Sequence, residues 1–280
     1  MTPLFFGDPA EPLFGALHEP PVGAERHHGV LVCPPIAQEH VRTHWALRQL
    51  SVALARAGFH VLRFDWFGVG DSAGRAGEGG VARWVEDARA AAQELRDATD
   101  LRKISVVGLR FGATIAALAG RRLKPQALVL WDPVLDGGRY LRELGELHAG
   151  VLADRRRFFY KWPEAVRERL GRLSPTIAQA RASGPDELVG FPFGPALRAE
   201  IVAVDREALS DLSGVRVALV ESDPDPERDR FVERLRERGA RPERRPTAVR
   251  GLWRSPNEIE ELFLPADALR TVAEALEAKT

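Results

Sequence analysis

The residues most open to a chemical reading run Ile104-Ser105-Val106-Val107-Gly108-Leu109-Arg110-Phe111-Gly112-Ala113-Thr114. An apolar strand enters a Gly-x-X-x-Gly turn and leaves as a helix of small residues. The glycines suit a tight turn and a close helix–strand approach. The central residue of such a turn is strained and carries its side chain above the sheet. A hydroxyl or thiol there would be an attacking group, but the residue is Arg110. A guanidinium stays protonated and cannot attack. It can grip a carboxylate or phosphate by two prongs, here at a helix N-terminus, where free N–H groups favour negative charge. Phe111 and the Pro35–Ile36 turn would frame the same spot, as in an oxyanion hole. Glu39, His40 and Asp132 are the candidates for moving protons. Glu39 or Asp132 could equally neutralise Arg110 as an internal ion pair. Cys33 reads as a small buried hydrophobe. His40 and His44 lie one helical turn apart and could line a pocket or hold a metal, although capping or surface roles are plainer. No metal and no cofactor is expected, because P-loop and paired-histidine signatures are missing.

The elements around these residues alternate between strand-like and helix-like periods. Leu4–Phe6 and Leu13–Leu17 read as an opening hairpin. Strands are expected at Gly29–Cys33, Phe59–Phe64, Ile104–Leu109, Ala127–Trp131, Val215–Val220 and Arg245–Val249. Helices are expected at His44–Ala57, Val81–Ala98, Phe111–Arg121, from Asp225 as N-cap to about Arg238, and at Pro265–Ala278. Continuous apolar strands between amphipathic helices predict an α/β architecture, a mostly parallel sheet covered on both faces. Gly138–Ser210 breaks the rhythm. It has a helical stripe through Tyr140, Leu141, Leu144, Leu147 and Leu152. Its aromatics are Phe158, Phe159 and Trp162, then Phe191 and Phe193 in a loop. The predicted organisation is a core of residues 1–137 and 211–280, with 138–210 inserted as a helical cap whose aromatics roof the pocket.

The order of these motifs resembles the α/β-hydrolase superfamily. The strand–Gly-x-X-x-Gly–helix unit matches its nucleophile elbow. Asp65-Trp66-Phe67-Gly68-Val69-Gly70-Asp71-Ser72 is similar to the loop after its fourth strand, where Asp65 and Ser72 are expected to tie the loop together. Cys33-Pro34-Pro35-Ile36 falls where that fold supplies an oxyanion amide. More narrowly, Val32–Glu39, Gly108–Ala113 and Leu130–Gly137 resemble the second type of exosortase-system-associated hydrolase. That resemblance implies an acid at Glu39 and a link to exopolysaccharide or surface-protein sorting, with no settled substrate. The fold's hydrolytic triad needs a nucleophile at the elbow, an acid after a late strand and a histidine after the last strand. The corresponding positions here hold Arg110, Asp223 (with Asp225 beside it) and Trp253. None of the seven histidines lies beyond His148. The expected function is therefore a pseudo-hydrolase holding an anionic small molecule or a partner, with Arg110, Phe111, Pro35, Ile36 and Trp253 as binding residues. The alternative is an ester or thioester hydrolase, or an acyl-handling enzyme, with unconventional catalytic residues.

Composition narrows the field further. Lys+Arg and Asp+Glu are equal at 40 each, which argues against a nucleic-acid binder or a membrane-surface protein. The arginines of Arg228–Arg250 interleave with glutamates and read as a solvated face. One cysteine excludes an internal disulfide and a thiolate zinc cage. No run approaches the ~20 apolar residues of a membrane span, and no secretory signal is visible at the N-terminus. The expected location is the cytoplasm.

Overall fold

The computed structural model describes residues 1–160, 186–204, 206–247 and 266–277, with the side chains of 153–160, 206 and 266 left out of that description. Phe158, Phe159, Trp162 and Trp253, and the end of the strand expected at Arg245–Val249, fall outside it. The core is an α/β-hydrolase fold built on an eight-stranded sheet of order β1-β2-β4-β3-β5-β6-β9-β10. β1 (Thr2–Phe6) and β2 (Leu13–His18) form the antiparallel opening hairpin, and β2 also pairs antiparallel with β4 (His60–Phe64). The remaining strands are parallel: β3 (Gly29–Cys33), β5 (Ile104–Leu109), β6 (Leu128–Trp131), β9 (Arg216–Glu221) and β10 (Arg241–Pro246).

The period of two in each strand sorts its side chains into two cores. Leu31, Val106, Leu128 and Leu219 face α2 (Val81–Thr99), α3 (Phe111–Leu123) and α7 (Pro226–Glu237). Val30, Val32, Val107, Val129 and Val220 face α1 (Ala37–Arg56) and α8 (Ala266–Glu277). Burying a side chain of this size stabilises the fold by about 1.5–3 kcal/mol. Between β6 and β9 the chain forms α4 (Gly137–Tyr160), the short hairpin β7 (Glu187–Leu188) and β8 (Phe191–Pro192), α5 (Pro195–Val202) and α6 (Arg206–Leu209). The first residues of α4 are tied down where Gly137 donates to the Val204 carbonyl at 3.2 Å.

Three expectations need correction. α1 starts at Ala37 rather than His44, because Glu39 and His40 already belong to its first turn and its apolar period becomes visible only at Leu47. The last strand is Arg241–Pro246 rather than Arg245–Val249. It holds Pro242 and Pro246, which the sheet accepts because this strand pairs on one side only. The stretch expected as a loop around Phe191 is a hairpin, with Phe193 buried beside it. Among the described residues no helix is long and apolar enough to cross a membrane, and no group of three acids, histidines or cysteines is placed to hold a metal.

Candidate functional site

The elbow forms where β5 meets α3. Arg110 takes φ 53° and ψ −122°, a conformation costing a non-glycine residue on the order of 1–3 kcal/mol. Its neighbours hold it there. Arg110 N donates to the Trp131 carbonyl at 2.9 Å, and its own carbonyl accepts from Ala113 N at 3.0 Å. Glycine is required at both ends of the turn. A Cβ on Gly108 would lie 2.4 Å from Ala113 Cα, and one on Gly112 would lie 2.2 Å from the Pro34 oxygen. The Cys33–Ile36 turn therefore packs backbone to backbone against the start of α3. Trp66 fixes that turn by donating from Nε1 to the Pro34 carbonyl at 2.9 Å.

The Arg110 side chain is 7% exposed. Its Nε donates to Glu39 Oε1 at 2.9 Å, and the other oxygen of Glu39 accepts from the Tyr140 hydroxyl at 3.1 Å. The guanidinium carbon sits 5.7 Å from the Tyr140 ring centroid, and Phe111 stacks on that ring at 5.4 Å. An Nη of Arg110 lies 3.6 Å from Glu143 Oε2, longer than a hydrogen bond, while Arg139 donates to Glu143 Oε1 at 3.0 Å. Burial disfavours the charge on Arg110, but Glu39 and then Tyr140 and Glu143 overcome it and keep the guanidinium protonated. Burial, then the Glu39 carboxylate, pushes the Tyr140 hydroxyl well above its ordinary range.

Two clefts share this wall. One, of about 340 Å³, is lined by Gln38, Glu39, Arg110, Tyr140, Glu143 and Glu146, with Leu144 and Leu147. The other, of about 30 Å³, lies among Arg110, Arg139, Arg228, Glu143 and Asp225. Arg110, Tyr140 and Glu143 border both. Acids outnumber bases along these walls, so an added anion would be accommodated by exchange for a carboxylate already present.

The other expected site residues are dispersed. Asp132 follows β6 in a left-handed conformation, φ 41°. It pairs with Arg228 at 2.6 Å rather than with Arg110, and accepts from Ser222 N at 3.1 Å. Its Oδ2 has no partner, and burial raises its pKa against the pull of Arg228. His40 faces away from the elbow, toward Asp65, His44 and Arg63. Pro35 and Ile36 lie at the elbow's side as expected, and Ile36 caps α1. Asp223 follows β9, where its carbonyl accepts from Arg228. Burial pushes the Cys33 thiol far up, which leaves it unreactive. Asp65 and Ser72 bind their own loop: Asp65 Oδ2 accepts from Asp71 N, and Ser72 Oγ donates to the Asp65 carbonyl. Sequence reasoning missed Glu143 and Arg139, and it took Tyr140 only as part of an apolar stripe. The signal available was a phenol tip in an otherwise aliphatic row, since a buried tyrosine hydroxyl needs an acceptor.

A sheet of this order, carrying this strained strand–turn–helix elbow, defines an α/β-hydrolase. Residues 37–220 match the family described as Serine aminopeptidase, S33, and the chain belongs to that α/β-hydrolase family. It is 34% identical over 143 residues to an uncharacterized protein of Mycobacterium tuberculosis, found in strains CDC 1551 and H37Rv; the match covers 50% of this chain and 47% of theirs. The chain thus spans about half the length of the curated relatives it matches. Similar solved structures include a serine hydrolase without lid from Xanthomonas campestris (TM-score 0.56, 18% identity, 100% of this chain and 96% of that one). An esterase from Pyrococcus furiosus gives TM-score 0.58 at 17% identity, over 99% and 89%. A proline iminopeptidase from Mycobacterium smegmatis gives 0.59 at 14%, over 99% and 98%. At these identities the structures speak to the fold alone.

Proposed function

We propose that this chain has exchanged hydrolysis for binding: it is a pseudo-hydrolase that holds an anionic small molecule, or an anionic group of a partner, against Arg110. One observation carries the reading. At the elbow stands a buried guanidinium whose Nε is bound to Glu39 at 2.9 Å and one of whose Nη atoms lies 3.6 Å from the Glu143 carboxylate. Glu143 is 39% exposed and is shared with Arg139. A ligand carboxylate or phosphate would take its place between Arg110 and Arg139, with an apolar body along Leu144, Leu147 and Tyr140. On this reading residues 138–210 are the cap, set over a core of 1–137 and 211–280. The narrower kinship with exosortase-system-associated hydrolases belongs to the same proposal and rests on Pro34-Pro35, Glu39 and Gly108-Leu109-Arg110.

Calorimetric titration with alkyl carboxylates and phosphate monoesters tests this reading. Arg110→Ala should abolish binding, and Glu143→Ala should tighten it by removing the internal competitor. Aryl esters and a serine-reactive phosphonate should give no turnover and no labelling, and Arg110→Ser should not create an esterase. A second reading, hydrolysis of an ester or thioester with Asp132 as proton acceptor, is favoured by the partnerless Oδ2 of that buried acid. Ester turnover by the native chain that disappears in Asp132→Asn would establish it and remove the first.

A further inference from the structure

Acids and bases balance over the whole chain, but the outward face of α1 is one-sided. The single acid of this helix, Glu39, is turned inward to Arg110. Its arginines are Arg42, Arg48 and Arg56, and none of them makes an ion pair among the described residues. An apolar stripe runs between them. Val41 is 62% exposed and Trp45, one turn on, is 42% exposed, whereas Trp66, Trp84 and Trp131 are 4% exposed or less. The half-buried Val52 continues the stripe. The helical repeat sets Val41, Trp45 and Val52 on one line, with Arg48 on one flank and Arg42 and Arg56 on the other. The Arg48 guanidinium carbon lies 4.9 Å from the Trp45 ring centroid.

The surroundings leave this charge in place. On the same side of the sheet α8 carries Asp267, Glu274 and Glu277, and each already has a cation. Asp267 pairs with Arg270, Glu274 lies 3.6 Å from Arg245, and Glu277 pairs with Arg26 at 3.0 Å. Asp65, beneath α1, is bound into its own loop through Asp71 N at 3.1 Å. An even net charge is compatible with a local field of one sign. Tryptophan and valine on a helix ridge edged by arginines make the composition of a segment that lies at the boundary of lipid headgroups and acyl chains. The ridge of a single helix is convex. A rigid protein meets such a ridge along a narrow line, whereas a fluid lipid surface closes around it.

We propose that α1 docks this protein onto an anionic phospholipid surface. Val41, Trp45 and Val52 enter the headgroup layer, and Arg42, Arg48 and Arg56 donate to lipid phosphates beside them. Three arginines and a short apolar stripe give reversible, peripheral binding that salt weakens. Glu39 points inward from the same helix, so docking leaves its ion pair with Arg110 in place.

The test is co-sedimentation of the full chain with vesicles of equimolar phosphatidylglycerol and phosphatidylcholine, against vesicles of phosphatidylcholine alone. The native chain should bind the anionic vesicles only, and less as salt rises. Replacing Arg42, Arg48 and Arg56 together by Gln should weaken binding by about fivefold per arginine. The same change at Arg89, Arg96 and Arg122, on the helices of the opposite sheet face, should leave it intact. Insertion is read separately, from quenching of Trp45 by brominated phosphatidylglycerol. The chain has six tryptophans, so the Trp45 share is the part of the quenching lost in Trp45→Phe. That reading keeps the proposal open to refutation should the arginine variant fail to fold. No binding to the anionic vesicles would leave the face to a protein partner and overturn the proposal. Equal binding to both vesicles, equal losses in the two arginine variants, or quenching unchanged in Trp45→Phe would overturn it as well.

Discussion

Two arginines stand at the same sheet, Arg110 buried and Arg63 half-buried, and are treated in opposite ways. Arg110, at the carboxyl end of β5, is met inside the protein by Glu39, with Tyr140 securing that carboxylate from the other side. Arg63, in β4, is shut from solvent at Nε and makes no ion pair among the described residues. The first arrangement pins a strained turn to α1 and to α4. The second leaves Arg63 lining a cavity together with Asp65 but without a direct ion pair to it. A guanidinium held by an internal carboxylate gains position, and admits an outside anion only by exchange.

The largest expected effect is on the paired side. Glu39→Ala should destabilise the fold by about 3–5 kcal/mol, because it strands a buried charge; urea unfolding measures this. Arg63→Met should cost far less in the same assay, and removing Arg110 and Glu39 together should recover much of the Glu39→Ala loss. An equal penalty for Glu39→Ala and Arg63→Met would erase the contrast.

The second effect is one of pH. Burial, reinforced by Arg63, lowers the His18 pKa from 6.5 to about 4. The unfolded chain therefore takes up this proton first as pH falls. The stability held above about pH 6.5 is lost progressively toward pH 4, by on the order of 2–3 kcal/mol. His18→Gln should flatten that part of the stability–pH curve.

The smallest effect is at the edge of the paired network. Tyr140→Phe removes the hydrogen bond to Glu39 but leaves the Phe111 stacking intact, and should cost about 1.5 kcal/mol. A near-zero cost would mean that Glu39 is positioned by Arg110 alone.

Much of the frame was legible because it follows local rules. β5 ends at Leu109 and α3 begins at Phe111 in sequence and structure alike, since the glycines and the change from strand to helix period mark both boundaries. Asp225 as N-cap with Pro226 after it was equally readable, and Asp225 does accept from Glu227 N. Glu39 was one of two acids that could neutralise Arg110. Choosing between it and Asp132 needed the arrangement of α1, α4 and α7. His40 shares the first turn of α1 with Glu39 yet faces the other way, and helical phase alone could not say which residue meets the elbow.

The sequence by itself determined that an arginine occupies the turn and that no histidine follows residue 148, because residue identity and glycine spacing are local facts. Only the tertiary structure decided that Glu39 claims Arg110, that Arg228 claims Asp132, and that Arg63 and His18 share a face. Ion pairs between residues 71 or more positions apart depend on how helices lie against strands. That is set by burial across the whole sheet, and no short window of sequence contains it.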